Sequence, residues 1–224
     1  MPNNTLIFAK RSLSLSKIYS GIGIFFAAFG TFIVDAITFL AKGAPEALFL
    51  IAVPFMALGI LIFTTSVILL YVYDKNNGVL EYLLSLGWNQ SDIFKSYLKT
   101  ALFLALILFI AEFAANVVSS VVAGTTLFTL VLLALTALQG FSAVSLATVS
   151  MMAFSSLQKQ RVGANSPLAL SIGAAVIIPT FYISFLPFST AFLVDLSIAG
   201  VAGGLSIVLL ILSSRLIRRE KMLP

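Results

Sequence analysis

The sequence predicts an all-α polytopic membrane protein: six transmembrane helices, both termini cytoplasmic, and a short amphipathic helix between spans two and three. Three observations lead there. The 224-residue chain is 60% apolar and only 9% charged, against about 25% charged residues in a soluble domain. Its apolar residues gather in six runs, each near the roughly 20 residues that cross a hydrocarbon core. The Lys and Arg residues, finally, fall almost entirely in alternate polar segments between those runs.

The first run, 18–40, follows a polar start carrying Lys10, Arg11 and Lys17. It is too long for the apolar part of a signal peptide and has no small-residue cleavage site after it, so it reads as a retained span. Lys42, Gly43, Ala44 and Pro45 break the chain. A second run covers 47–73, with a kink expected at Pro54, where a helix loses one backbone hydrogen bond. The third run, about 98–122, ends at a turn made by Gly124, Thr125 and Thr126, and the fourth covers 126–153. After a polar segment with Lys159 and Arg161, Pro167 suits the first turn of a helix and opens the fifth run, 167–186, which Pro179 interrupts. The passage 186–194 fits either a short re-entrant segment or an outer loop, and the sixth run is 194–214. These runs make one transmembrane domain over 1–224 and leave no room for a soluble one.

Of the 13 basic residues, Lys10, Arg11, Lys17, Lys75, Lys95, Lys99, Lys159, Arg161, Arg215, Arg218, Arg219 and Lys221 share one predicted side, and Lys42 alone lies on the other. Such a bias marks the cytoplasmic face. It also accounts for the net charge of +5 through topology and contact with anionic lipid, so nucleic acid is not an expected partner. The chain has no Cys and no His. Disulfides, thiol and imidazole catalysis and the usual zinc and iron–sulfur ligands are thereby excluded, and no metal site or catalytic residue is expected.

The stretch 73–100 interrupts the apolar pattern without being loop-like. Val79, Leu80, Leu83, Leu84 and Leu86 recur at spacings of three and four, one stripe of a helix, while Glu81, Ser85, Asn76 and Asn77 form a wetter side. Gly87 breaks that helix. Asn89, with Asp92 three residues on, has the pattern of an N-cap followed by an acid in the first turn, and the new helix carries Lys95 and Lys99 into the third run. Pattern alone leaves two readings, a docking element for another protein or an amphipathic anchor in lipid.

The segment Gly78-Val79-Leu80-Glu81-Tyr82-Leu83-Leu84-Ser85-Leu86, placed directly after the second span, resembles the permease subunits of type 2 ABC transporters. Gly78, Leu80, Glu81, Leu83, Leu84 and Ser85 match the family pattern. Three positions depart from it: Asn77 stands where a basic residue is common, Val79 where Thr or Ser is usual, and Gly87 near the usual Pro. The small size is most similar to compact members, including permeases implicated in cytochrome maturation, although the lack of His argues against haem handling. The resemblance implies that 78–86 is a coupling helix whose Gly78, Leu80, Glu81, Leu83, Leu84 and Ser85 contact an ATP-binding subunit. It also implies two ATPase copies and a second permease, identical or related, in the plasma membrane. No Gly-x4-Gly-Lys-Ser/Thr loop occurs, and no Gly is followed by Lys, so this chain is not expected to be an enzyme and ATP and Mg would bind the partner.

Within the predicted spans Glu112 is the most expensive residue, since a charge near midplane costs at least about 2.5–3.5 kcal/mol. Asn116 lies one turn away and Gln139 in the next span; together the three are candidates for a substrate path. The ordinary reading of Glu112 is a hydrogen-bonded or protonated group knitting helices together; the sharper one is the carboxylate of a proton-coupled transporter. Asp35 and Asp195 are expected at solvated helix ends. The small-xxx-small pairs Gly23/Ala27 and Gly200/Gly204 predict close helix contacts, within one chain or between two. An ATP-driven export permease is the first functional expectation, a proton-coupled transporter or channel the second, and an intramembrane enzyme the third.

Overall fold

The computed structural model describes residues 4–40, 50–154, 166–183 and 186–216. Among them are eight helices and no strand: α1 (Asn4–Leu15), α2 (Lys17–Leu40), α3 (Ala52–Asn76), α4 (Val79–Ser85), α5 (Gln90–Ala123), α6 (Thr126–Phe154), α7 (Ser166–Ile183) and α8 (Phe188–Leu216). The expected break at 42–45, the Lys159/Arg161 segment and the basic residues beyond 216 lie outside the described residues.

Five helices are long and apolar enough to cross a membrane, α2, α3, α5, α6 and α8, while α7 contributes a shorter apolar stretch, Ser171–Tyr182. This is the architecture of a multi-pass helical membrane protein. Only helices or closed barrels satisfy every backbone N–H and C=O without water, and here the helices do so. At about 1.5 Å per residue, the 34 residues of α5 run roughly 51 Å, well beyond a hydrocarbon core of about 30 Å. One end of α5 therefore projects past the other spans, and α1 and α4 pack near it.

The bundle is built around α3 and α6. The apolar window of α3 is 78% buried and that of α6 67%, against 22% for both α2 and α8. α3 touches α1, α2, α5, α6 and α7, while α6 also holds α7 and α8. Ile18, Phe25, Phe32, Val201 and Ile211 point outward, as expected of side chains facing lipid. Hydroxyls inside α3 satisfy themselves on their own helix: Thr64 Oγ1 donates to the Ile60 and Leu61 carbonyls and Thr65 Oγ1 to Leu61, the usual answer for Ser and Thr in a dry helix.

Two expectations about proline change. Pro54 is the third residue of α3, where its missing N–H has no helical partner to lose, so it starts the helix and does not kink its middle. Pro179 lies inside α7, which continues through it to Ile183. The passage 186–194 also gains a definite form: a bend at Leu186 and Pro187 precedes α8, and from Phe188 the chain is helical without interruption to Leu216.

The tightest contact is α2 against α3. A Cβ on Gly23 would meet the Phe63 backbone nitrogen at 2.5 Å, and one on Gly59 would meet that of Ala27 at 2.7 Å. The Gly23/Ala27 pair thus works within the chain, letting two backbones approach as small residues do in membranes. Gly200 and Gly204 are exposed, with nothing within 4 Å of an added Cβ. Gly23→Leu is expected to force the helices apart and to cost at least the roughly 1–3 kcal/mol typical of overpacking. Gly200→Ala should leave stability unchanged. Thermal unfolding midpoints of the two detergent-solubilised variants measure the difference.

Candidate functional site

The short helix α4 is held between two glycines with left-handed backbones. α3 ends where Asn77 Nδ2 donates to the Tyr73 carbonyl at 2.8 Å, and Gly78 follows at φ 73°, a conformation that would cost a side-chain-bearing residue about 1–2 kcal/mol. Gly78 redirects the chain, and its carbonyl accepts from the Tyr82 N–H at 3.0 Å to start α4. At the other end Gly87 has φ 85°; its N–H donates to Leu84 and that of Trp88 to Leu83, both at 3.1 Å. That pair is a Schellman closure. A Pro at position 87 could supply neither the N–H nor the positive φ. Asn89 then opens α5 with an extended backbone, but its side chain makes no capping bond; its carbonyl receives the Asp92 and Ile93 N–H groups instead. Asp92 does lie in the first turn, where the helix dipole favours an acid.

Leu80, Leu83 and Leu84 of the apolar stripe face their own bundle, while Leu86 does not. Leu80 is fully buried, and Leu83 and Leu84 pack half-buried against the main core together with Trp88. Leu80 is therefore corrected from a partner contact to the anchor of α4. Glu81, Tyr82, Ser85 and Leu86 are exposed, with Tyr82 at 62% and Leu86 at 57%. The outward face thus includes two residues, Tyr82 and Leu86, absent from the contact set implied by sequence, of which Glu81 and Ser85 remain exposed.

Near α4 sits a part-buried ion pair that sequence reasoning missed. Asp74, fully buried in the last turns of α3, accepts from Arg11 Nη2 at 2.6 Å and Nη1 at 3.3 Å and from the Tyr97 hydroxyl at 2.6 Å. Tyr97 is itself fully buried, edge-on to Phe8 at 5.0 Å and to Tyr71 at 5.4 Å. One carboxylate thereby ties together α1, α3 and α5. The polar start of the chain is in fact the helix α1, with Phe8, Ala9 and Ser12 buried on one side. The spacing of Phe8 and Ser12, with Leu13 packed against the core beside them, was a helical signal hidden by the basic residues between.

The polar groups inside the spans form two separate sets. Asn116 Nδ2 donates to the Glu112 carbonyl at 2.8 Å and to Thr31 Oγ1 of α2 at 3.2 Å. Glu112 is 3% exposed, and both its carboxylate oxygens are buried without a hydrogen-bond partner among the described residues. Gln139 belongs to the other set: its Nε2 donates to Asp195 Oδ1 of α8 at 2.5 Å. No hydrogen bond among the described residues joins Gln139 to Glu112 or Asn116. Asp195 is 2% exposed, which corrects its reading as a solvated helix end, and Asp35 is half-buried with one oxygen lacking a partner.

The chain matches no family model, curated protein or solved structure. Its function must be argued from the site itself. No group of three or more metal-ligand residues occurs among the described residues. The chemistry on offer is a surface helix with a mixed face, rigidly tied to the bundle, and buried carboxylates within it.

Asp74→Ala would strand Arg11 and the Tyr97 hydroxyl. The expected cost is roughly 2 kcal/mol, the scale of hydrogen bonds to a charged group, with the Arg11 share reduced because that side chain is 39% exposed and screened. Hydrogen exchange in Asn4–Leu15 should accelerate, while that in α6 should not. Equal protection of α1 in variant and wild type would show that the ion pair does not hold it.

Proposed function

We propose that the chain is the membrane-spanning permease subunit of an ATP-driven transporter of the type 2 ABC class, with α4 as its coupling helix. The observation that carries this reading is the construction of α4. Eight residues stand between Gly78 and Gly87, seven of them the helix α4, clamped from within by Leu80 and presenting Glu81, Tyr82, Ser85 and Leu86 outward. A helix that served only as a lipid anchor would turn Leu80, Leu83 and Leu84 outward; here Leu80 is buried and Leu83 and Leu84 pack against the core, while Leu86 faces out. The exposed face combines an aromatic, an aliphatic, a hydroxyl and a carboxylate, the composition of a protein contact.

In this reading six spans, α7 included, place both termini and α4 in the cytoplasm, consistent with the Lys and Arg distribution. Two ATPase subunits, binding ATP and Mg, act on two permease copies or on this chain and a relative. Their closure pushes α4, and the Arg11–Asp74–Tyr97 bond set carries the displacement into α3 and α5 as a packed unit. The bundle then exchanges inward-open for outward-open states. Export is the proposed direction and the plasma membrane the proposed location. Glu112 and Asn116 are assigned to the substrate path, with Gln139 and Asp195 as a second polar pair.

A second reading, a proton-coupled transporter without an ATPase, is favoured by one observation, the buried unpartnered carboxylate of Glu112.

Purification from native membranes should recover a stoichiometric ATPase carrying a Walker A loop. In the Glu81→Ala and Tyr82→Ala variants, expected to insert and fold normally, the co-purified ATPase should fall at least fivefold. Recovery of this chain alone, active in proteoliposomes without ATP and inactivated by Glu112→Gln, would establish the second reading.

A further inference from the structure

Two carboxylates on neighbouring helices share one groove. Ile24, Thr31, Phe32 and Asp35 of α2 and Leu108 and Glu112 of α5 line a cavity of about 330 Å³. Ile24 and Phe32 are exposed, so the groove opens on the outer flank of the bundle, where acyl chains would lie. Its walls are otherwise apolar or alanine.

Among the described residues the acids in this groove are uncompensated. Glu112 is 97% removed from solvent, and neither of its oxygens has a hydrogen-bond partner there, nor has Asp35 Oδ1. Asn116, the nearest amide, spends its N–H groups on Thr31 and on the Glu112 backbone. Among the described residues no basic side chain is paired with either acid; the ion pair found is Arg11 with Asp74. A carboxylate in so dry a place is stable only with a cation or a proton beside it. Fewer than three metal-ligand residues gather here, and the apolar walls offer nothing to an inorganic ion's remaining coordination sites.

We propose that this groove binds a lipophilic ammonium ion, its nitrogen beside Glu112, with Asp35 as the second acid lining the groove, and its hydrocarbon body along Ile24, Phe32 and Leu108. The buried acid Glu112 and the exposed apolar Ile24 and Phe32 toward the mouth match a cation attached to an alkyl chain. The ligand enters sideways from the lipid. This inference rests on the assignment of Glu112 to the substrate path and names the chemical class that path takes.

The probe is radiolabelled dodecyltrimethylammonium, whose charge is permanent, with the full chain purified in dodecyl maltoside and no ATPase present. Scintillation proximity should show saturable binding of one probe per chain, displaced by unlabelled probe and not by dodecanol. Glu112→Gln should weaken binding at least tenfold and Asp35→Asn several-fold. Ala28→Leu, which narrows the groove and keeps both acids, should weaken it as well. Absence of saturable binding, or unchanged affinity in a Glu112→Gln protein of wild-type helicity and elution volume, overturns the proposal. Competition by short-chain phosphatidylethanolamine would assign the ammonium to a lipid headgroup; competition by dodecylamine alone would assign it to a free amphiphile, and either keeps the site. Loss of probe binding in Glu112→Gln with ATP-driven transport intact would keep the site and remove it from the substrate path. Transport without any saturable probe binding would do the reverse.

Discussion

Everything in this bundle leans on the close approach of α2 to α3. Gly23 and Gly59 remove the Cβ atoms that would hold the two backbones apart, so dispersion contacts run along most of both helices. In lipid there is no hydrophobic drive to press helices together, and such contacts supply the attraction. With α2 laid tightly on one side, α3 can be enclosed by α1, α5, α6 and α7 on the others. A helix so enclosed needs no lipid-facing stripe.

Enclosure explains how Asp74 can exist. At the end of a lipid-facing helix an acid would turn to water; at the end of α3 it is fully buried and must be paired within the protein. Arg11 and Tyr97 do this from two different helices. The pairing gives the amphipathic α1 a fixed seat and braces the projecting end of α5. α4 sits on the same braced end, joined by Leu80 to the core that includes Tyr71 and Tyr97. Movement of α4 relative to this end is thus limited to what the two glycine junctions allow.

The intramembrane acids divide by whether another helix supplies their carboxylate with a hydrogen bond. Asp195 accepts from Gln139 across α6 and α8, although Gln139 Oε1 has no partner among the described residues, and Ser206 reaches the Ser142 carbonyl between the same helices at 3.1 Å. These bonds are sufficient as helix glue. Glu112 and Asp35 are left incomplete on the opposite flank of the bundle's core helices, beside a groove. Carboxylates in a dry interior are ordinarily satisfied; Asp195 is bonded by Gln139, and Glu112 has no such bond among the described residues.

The sequence by itself determined the membrane class, the positions of the long helices and the two breaks around α4, because those follow from hydropathy and from glycine, which act locally. Gly78 and Gly87 were legible as punctuation, and Glu112 stood out by its cost in lipid. Which way a face turns was not legible. The stripe Leu80, Leu83, Leu84 has the same periodicity whether it meets a partner, lipid or its own core, and only packing against α3 and α5 turned Leu80 inward. Partner choice was equally hidden: Gln139 lies as near Asn116 in sequence as many true pairs do, yet α8 brings Asp195 to it. Arg11, Asp74 and Tyr97 are separated by 63 and 23 residues, so no local pattern could join them. Tertiary structure decided those pairings because a buried charge is satisfied by whatever the fold carries to it, at any distance along the chain.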